Sequence, residues 1–131
     1  MANPNIVAVA TIEGGSLGWN LTDSLADLVT VSADYILKLN RIVATNVDGS
    51  SAMNLDVAVT LDGTNATTMT GVTVTGGDTT MYLASTISVP ADASLVVSDT
   101  PIYLRAGDIL KAKGSTTAKI DLFISFEVLI D

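Results

Sequence analysis

Gly14-Gly15-Ser16-Leu17-Gly18 matches the Gly-x-Ser-x-Gly pattern that holds a nucleophilic serine on a strand–turn–helix elbow. The chemistry needs a base to take the serine proton, usually histidine, and the chain has no histidine. It has no cysteine either, which removes thiol nucleophiles, Fe–S ligands and cysteine zinc sites. The missing imidazole also removes the commonest general base and the usual physiological-pH switch. The glycine-rich stretch therefore reads as a flexible turn, with Ser16 an ordinary residue in it.

Carboxylates are the remaining chemical resource. Asp48, Asp62, Asp78, Asp92, Asp99 and Asp108 all fall in or beside turn sequences. Gathered at one end of a β-sandwich they could offer Ca²⁺ the six to eight oxygens it takes. No Asp-x-Asp or EF-hand spacing occurs, and aspartate favours turns because its side chain accepts from nearby backbone N–H groups. Nothing singles out two of the 14 acidic residues as a glycosidase pair. The sequence thus predicts no catalytic residue, no metal site and no cofactor.

The elements that would position any site are strands. Valine, isoleucine and threonine make up about a third of the chain, and β-branched residues suit a pleated, half-buried surface. From Met53 to Asp62, Met53, Leu55, Val57, Val59 and Leu61 share one face, with Asn54, Asp56, Ala58 and Thr60 on the other. The last segment repeats the pattern. Ile120, Leu122, Ile124, Phe126, Val128 and Ile130 alternate with Asp121, Phe123, Ser125, Glu127 and Leu129. Strands are expected near Ile6–Ile12, Leu28–Val31, Tyr35–Thr45, Met53–Asp62, Thr67–Thr75, Thr79–Val89, Ser94–Val97, Ile102–Leu104, Ile109–Lys113 and Lys119–Ile130. The apolar phase changes between Leu39 and Ile42, which predicts a bulge at Asn40-Arg41. Asp48-Gly49 and Asp62-Gly63 read as hairpin turns. Leu104 to Leu110 reads as a strand–turn–strand join in which Gly107 takes a left-handed backbone and Asp108 accepts from the turn. Thr22 to Val29 has a weak helical spacing, opposed by the strand preference of Val29-Thr30-Val31. The expectation is an all-β, antiparallel β-sandwich, jelly-roll-like, of about eight or nine strands. It is a single domain, with an N-terminal strand or arm and loop over 1–27 and the sandwich body over 28–131.

Composition narrows the function classes. The net charge is −8 and only 15% of residues are charged, so six Lys and Arg cannot make a basic footprint for nucleic acid. No apolar run is long enough for a membrane helix, and no basic region after Met1 suggests a secretory signal. With 48% hydrophobic residues and a mean hydropathy of +0.49, a free monomer should expose apolar area, which marks interfaces. Phe123 and Leu129 on the outer phase of the last strand, and Trp19 in an apparent loop, are candidate interface residues. Trp19 is alternatively a lid on the core. Asn3, Pro4 and Ile6 join the candidates, because an arm beyond Gly14, Gly15 and Gly18 can cap a sheet edge or lie on a neighbouring subunit.

Two stretches carry a resemblance. Leu28-Val29-Thr30-Val31-Ser32-Ala33-Asp34, Lys38 to Asn46 and Asp48-Gly49 form one. Val89-Pro90-Ala91-Asp92-Ala93-Ser94-Leu95, Pro101 to Asp108 and the final strand through Phe126-Glu127 form the other. Together they resemble small β-sandwich virion proteins of tailed bacteriophages, over about Leu28 to the C-terminus. The resemblance implies a non-enzymatic structural protein of the virion, assembled in the host cytoplasm. Its first form is a head decoration or cement protein, a homo-oligomer that the resemblance implies to be a trimer, bracing the major capsid protein or another virion protein, with no nucleic-acid or membrane partner. A tail, neck or baseplate component and a carbohydrate-binding receptor module are the alternatives; at least two of the six aromatics look buried, which weighs against sugar stacking. Replacement Ser16→Ala should leave assembly and infectivity unchanged. Loss of a hydrolytic activity in that variant, with fold retained, would overturn the structural reading.

Overall fold

The structure, a computed structural model, describes residues 11–62, 71 and 80–130. The described residues form nine strands: β1 (Thr11–Asn20), β2 (Ala26–Thr30), β3 (Tyr35–Asn46), β4 (Met53–Thr60), β5 (Thr80–Val89), β6 (Ser94–Ser98), β7 (Ile102–Arg105), β8 (Ile109–Gly114) and β9 (Ile120–Ile130). One sheet has the order β1-β9-β3-β6, with β7 also on β3; the other runs β2-β8-β4-β5. The pairs are nested. β1 pairs with β9, β2 with β8, β3 with β7 and β6, and β4 with β5, all antiparallel. The chain is one long hairpin wrapped over itself, and the β3–β9 and β4–β8 pairings close each wrapped half into a sheet. This is the two-sheet, antiparallel jelly-roll sandwich that the alternation predicts.

Inward residues of both sheets fill the core. Leu37, Leu39, Ile42, Ala44, Ile120, Leu122 and Ile124 come from one sheet, and Leu55, Val57, Val59, Leu110 and Ala112 from the other. The expected bulge is present: the β3–β9 register shifts between Leu39 and Arg41, which keeps Ile42 and Ala44 pointing inward. The fully buried large side chains are aliphatic apart from Asn46.

Several expectations are corrected. The Gly14–Gly18 stretch is extended strand, and every residue from Thr11 to Asn20 has a β9 partner without a break in register. The reason is close approach: a Cβ on Gly15 would lie 3.1 Å from Cζ of the Phe126 ring, so glycine lets that ring pack against the backbone. Trp19 is accordingly a strand residue. Between Thr22 and Val29 the strand preference of Val29-Thr30-Val31 prevails, as expected, over the weak helical spacing, and Ala26–Thr30 pairs with β8. Asp48-Gly49 joins no hairpin, because β3 and β4 lie in different sheets and the segment carries the chain from one to the other. β4 and β5 do pair, but the chain between them is far longer than a two-residue turn at Asp62-Gly63. The strand expected over Thr67–Thr75 falls outside the described residues except for Gly71, as does most of Ile6–Ile12.

Leu55 is fully buried, and Met53, Val57 and Val59 share its face, while Asn54, Asp56 and Thr60 are more accessible. Leu55→Ala should lower stability by about 2–5 kcal/mol in denaturant unfolding. A loss below about 0.5 kcal/mol would contradict this packing.

Candidate interaction surface

The chain crosses between the sheets at both ends of the sandwich, and each end is closed by a buried polar side chain. Asn46 closes one and is fully buried. Its Nδ2 donates to the carbonyls of Ser51 and Val89, both at 2.9 Å, and its Oδ1 accepts from the Asp48 N–H at 2.9 Å. It thereby ties β3, the β3–β4 crossing and the end of β5 together. Asp108 closes the other end at 4% exposure. Its carboxylate accepts from the N–H groups of Asp62 at 2.8 Å and Arg105 at 2.9 Å. Beside it, Gly107 has φ of 89°, and a Cβ there would stand 2.5 Å from Asp62 Oδ2, so the turn requires glycine twice over.

Asp48, like Asp108, acts on the backbone. Asp48 Oδ1 accepts from the N–H and hydroxyl of Ser50 and from the Ser51 N–H, and its Oδ2 faces Lys119 Nζ at 3.7 Å. The Ser50 N–H, then the Ser50 hydroxyl, with help from the Lys119 charge, hold this carboxyl below its ordinary value. Asp92 takes a left-handed backbone with φ of 58°. Asp78 lies outside the described residues. Among the described residues no three acidic side chains are grouped to hold a metal ion. Ser16 sits in an extended strand opposite Ser125, away from any strand–turn–helix elbow. No helix of the described residues is long and apolar enough to cross a membrane.

What remains is surface. The cross-strand register arranges the outer face of the first sheet in rows. Asn20, Asp121, Thr45 and Ser94 form a polar row, with Asn20 Nδ2 donating to Asp121 Oδ1 at 2.7 Å and the Thr45 and Ser94 hydroxyls 2.8 Å apart. The next row is Gly18, Phe123, Val43 and Val96. Phe123 is 47% exposed and Val96 45%, so this row is an apolar stripe open to solvent. Farther along, Gly14, Glu127, Lys38 and Tyr103 align, with a 3.9 Å ion pair between Lys38 and Glu127. On the other sheet, β5 exposes Met81, Tyr82, Leu83 and Ile87.

The candidate interface residues divide accordingly. Phe123 stands in the exposed stripe. Trp19 is half-buried in β1 and packs against the core cluster, as a lid would. Leu129 is only 6% exposed within the single chain and so presents little side chain to a partner; Ile12 and Ile36 flank it in its row, and Ile36 is buried too. Asn3, Pro4 and Ile6 lie outside the described residues. The expectation of two buried aromatics fails: Trp19, Tyr35, Tyr82, Tyr103, Phe123 and Phe126 are all half-buried or exposed, because the aliphatic residues already fill the space between the sheets. Sequence reasoning missed Asn46, although its signal was visible: a polar residue in the inward phase set by Ile42 and Ala44.

No protein-family model matches the sequence, and no curated protein matches it. One solved structure, described as Bacillus endospore appendages that form a novel family of disulfide-linked pili, is similar at 16% identity and a TM-score of 0.43, covering 92% of this chain and 87% of that one. So slight a likeness assigns nothing to this chain, which has no cysteine for a disulfide.

Asn46→Ala would remove the buried Nδ2 donor from the Ser51 and Val89 carbonyls and the Oδ1 acceptor from the Asp48 N–H. It should cost about 1–3 kcal/mol in denaturant unfolding, since an unsatisfied buried polar group loses its full solvation. A neutral substitution would mean that water or relaxation replaces the bond.

Proposed function

We propose that the protein is a non-enzymatic structural subunit of a bacteriophage virion: a decoration or cement protein that binds the assembled head and stabilises contacts between capsid subunits. The observation that carries the reading is the exposed apolar surface, the Phe123–Val43–Val96 stripe and the exposed Met81, Tyr82, Leu83 and Ile87 side chains of β5, on a chain with few charges. Apolar area of this kind serves contacts with other proteins. Jelly-roll sandwiches occur as capsid and lectin domains, so the fold is compatible with the role without choosing it. The choice of the virion head comes from the resemblance over 28–131. In this reading the partners are further copies of the chain and the major capsid protein. The trimer is what the resemblance implies; the surface itself supports self-association.

A carbohydrate-binding module is the second reading, favoured by the accessibility of all six aromatics. Tyr82 lies on one sheet and Tyr103 and Phe123 on the other, in separate rows, so no stacked platform joins these three.

Antibody-gold electron microscopy of phage particles released from cells that make this chain tests the proposal. Regular labelling of the head is expected. Label confined to the tail or its tip would support the alternatives, and particles without label would overturn a virion role.

A further inference from the structure

The five edge strands among the described residues are not alike. β2 and β6 are short, at five residues each, β7 has only four, and the β2–β8 register is broken between Asp27 and Val29. β5 is long, but its register with β4 shifts twice, once on each side of Val57. At one of these shifts Thr86 takes φ of 51° and its N–H is held by Asp56. Short length and bulges are the devices by which sheet proteins prevent their edges from pairing with other chains. β1 has neither. It runs ten residues with an unbroken register on β9, its sole strand partner among the described residues. Every β1 residue except Trp19 is exposed, on both faces of the strand. Glu13 is its one charged side chain, in a chain of net charge −8.

We infer that β1 is a self-association edge, and that its occupant is β1 of a second copy of this chain, paired antiparallel across a two-fold axis. The inference rests on the reading of the protein as an assembling structural subunit. Two copies this acidic repel each other at most contacts, and β1 is a long surface that carries a single carboxylate, Glu13. A two-fold axis normal to the sheet keeps faces matched, so only same-face residues can meet. With Ser16 on the axis, all but one of the ten residues find a partner. Leu17 of each copy then stands opposite Gly15 of the other, beside the Phe126 ring that packs over that glycine. Glu13 faces Trp19 rather than its own mate, so no like-charge pair forms. The two five-stranded sheets become one continuous sheet.

Sedimentation of the full chain over a concentration range, with amide exchange across residues 11–20, tests this. A dimer mass is expected, with exchange slowed at alternate β1 residues, those whose N–H groups point away from β9. Ser16→Glu sets two carboxylates face to face on the axis, and Leu17→Glu puts a charge on the other face of the strand. Both positions are exposed in the single chain, so the fold should persist. Each variant should weaken the dimer by about tenfold or more, as opposed like charges disrupt strand pairing, while Ser16→Ala should not. A monomer at all concentrations, a trimer, or a dimer that survives both Glu variants overturns the β1 pairing. None of those results bears on gold labelling of heads, so the structural role and this edge fail separately. Loss of folding in both Glu variants would also overturn it, because it would show β1 to lack the exposed faces the pairing uses.

Discussion

The two sheets face each other across aliphatic side chains, and such contacts have no direction; hydrogen bonds at the crossings decide where the chain turns. Asn46 makes the most demanding of these. A fully buried amide with both donors and its acceptor engaged fixes the end of β3, the path of the β3–β4 crossing and the end of β5 in one geometry. Backbone bonds extend the closure, with Asn46 N–H to the Ala93 carbonyl and Val47 N–H to the Lys119 carbonyl, both at 2.9 Å. Three crossings therefore meet at one point. At the opposite end Asp108 does the same for β7, β8 and the end of β4, aided by Gly107 N–H bonding to Val31 O at 2.8 Å. Between these clamps, inward residues need only be apolar and of suitable volume.

An aliphatic core has a consequence for the surface. Leucine, isoleucine, valine and alanine from both sheets fill the space at the sandwich spacing, and the aromatic side chains lie at or near the outside. Phe126 and Trp19 lie at the margin and pack against the core cluster, while Phe123, Tyr82 and Tyr103 face solvent. Large rigid side chains at the surface carry much contact area at low entropy cost. The high apolar content is thus divided between core and contact surface.

Much of this was legible. Alternation located the inner face of β4 and of most of β9, and the phase change at Asn40-Arg41 located the β3 bulge, because burial of one face is what period-two patterning records. Other features depend on partners distant in sequence. Gly14 to Gly18 has the composition of a turn, and only β9 and the Phe126 ring make it strand. Asp48-Gly49 has the local chemistry of a hairpin, but whether a turn returns along the same sheet or crosses to the other is decided by the nested pairing of the whole chain. Leu129 follows the outer phase of its strand, between Ile12 and Ile36 of the adjacent strands, yet it is little exposed. The interface candidates were therefore the least legible, since exposure is a property of the assembled sheet.

Nested wrapping also dictates which strands end as edges. The first described strand of such a hairpin pairs with the last, so β1 meets β9 on one side, and no other strand among the described residues covers its second side. The innermost pair leaves β5 in the same position on the opposite sheet. Topology thus creates two long edges, and the sequence treats them differently. At β5, extra residues at two register shifts and the Asp56–Thr86 contact interrupt the ladder. At β1, three glycines permit close backbone approach and no bulge interrupts the ladder. A ten-residue regular edge carries an aggregation hazard unless it is paired or protected. The fold produces both edges equally, so the contrast between them resides in side chains and register, where a chain can specify one contact with its neighbours while blocking another.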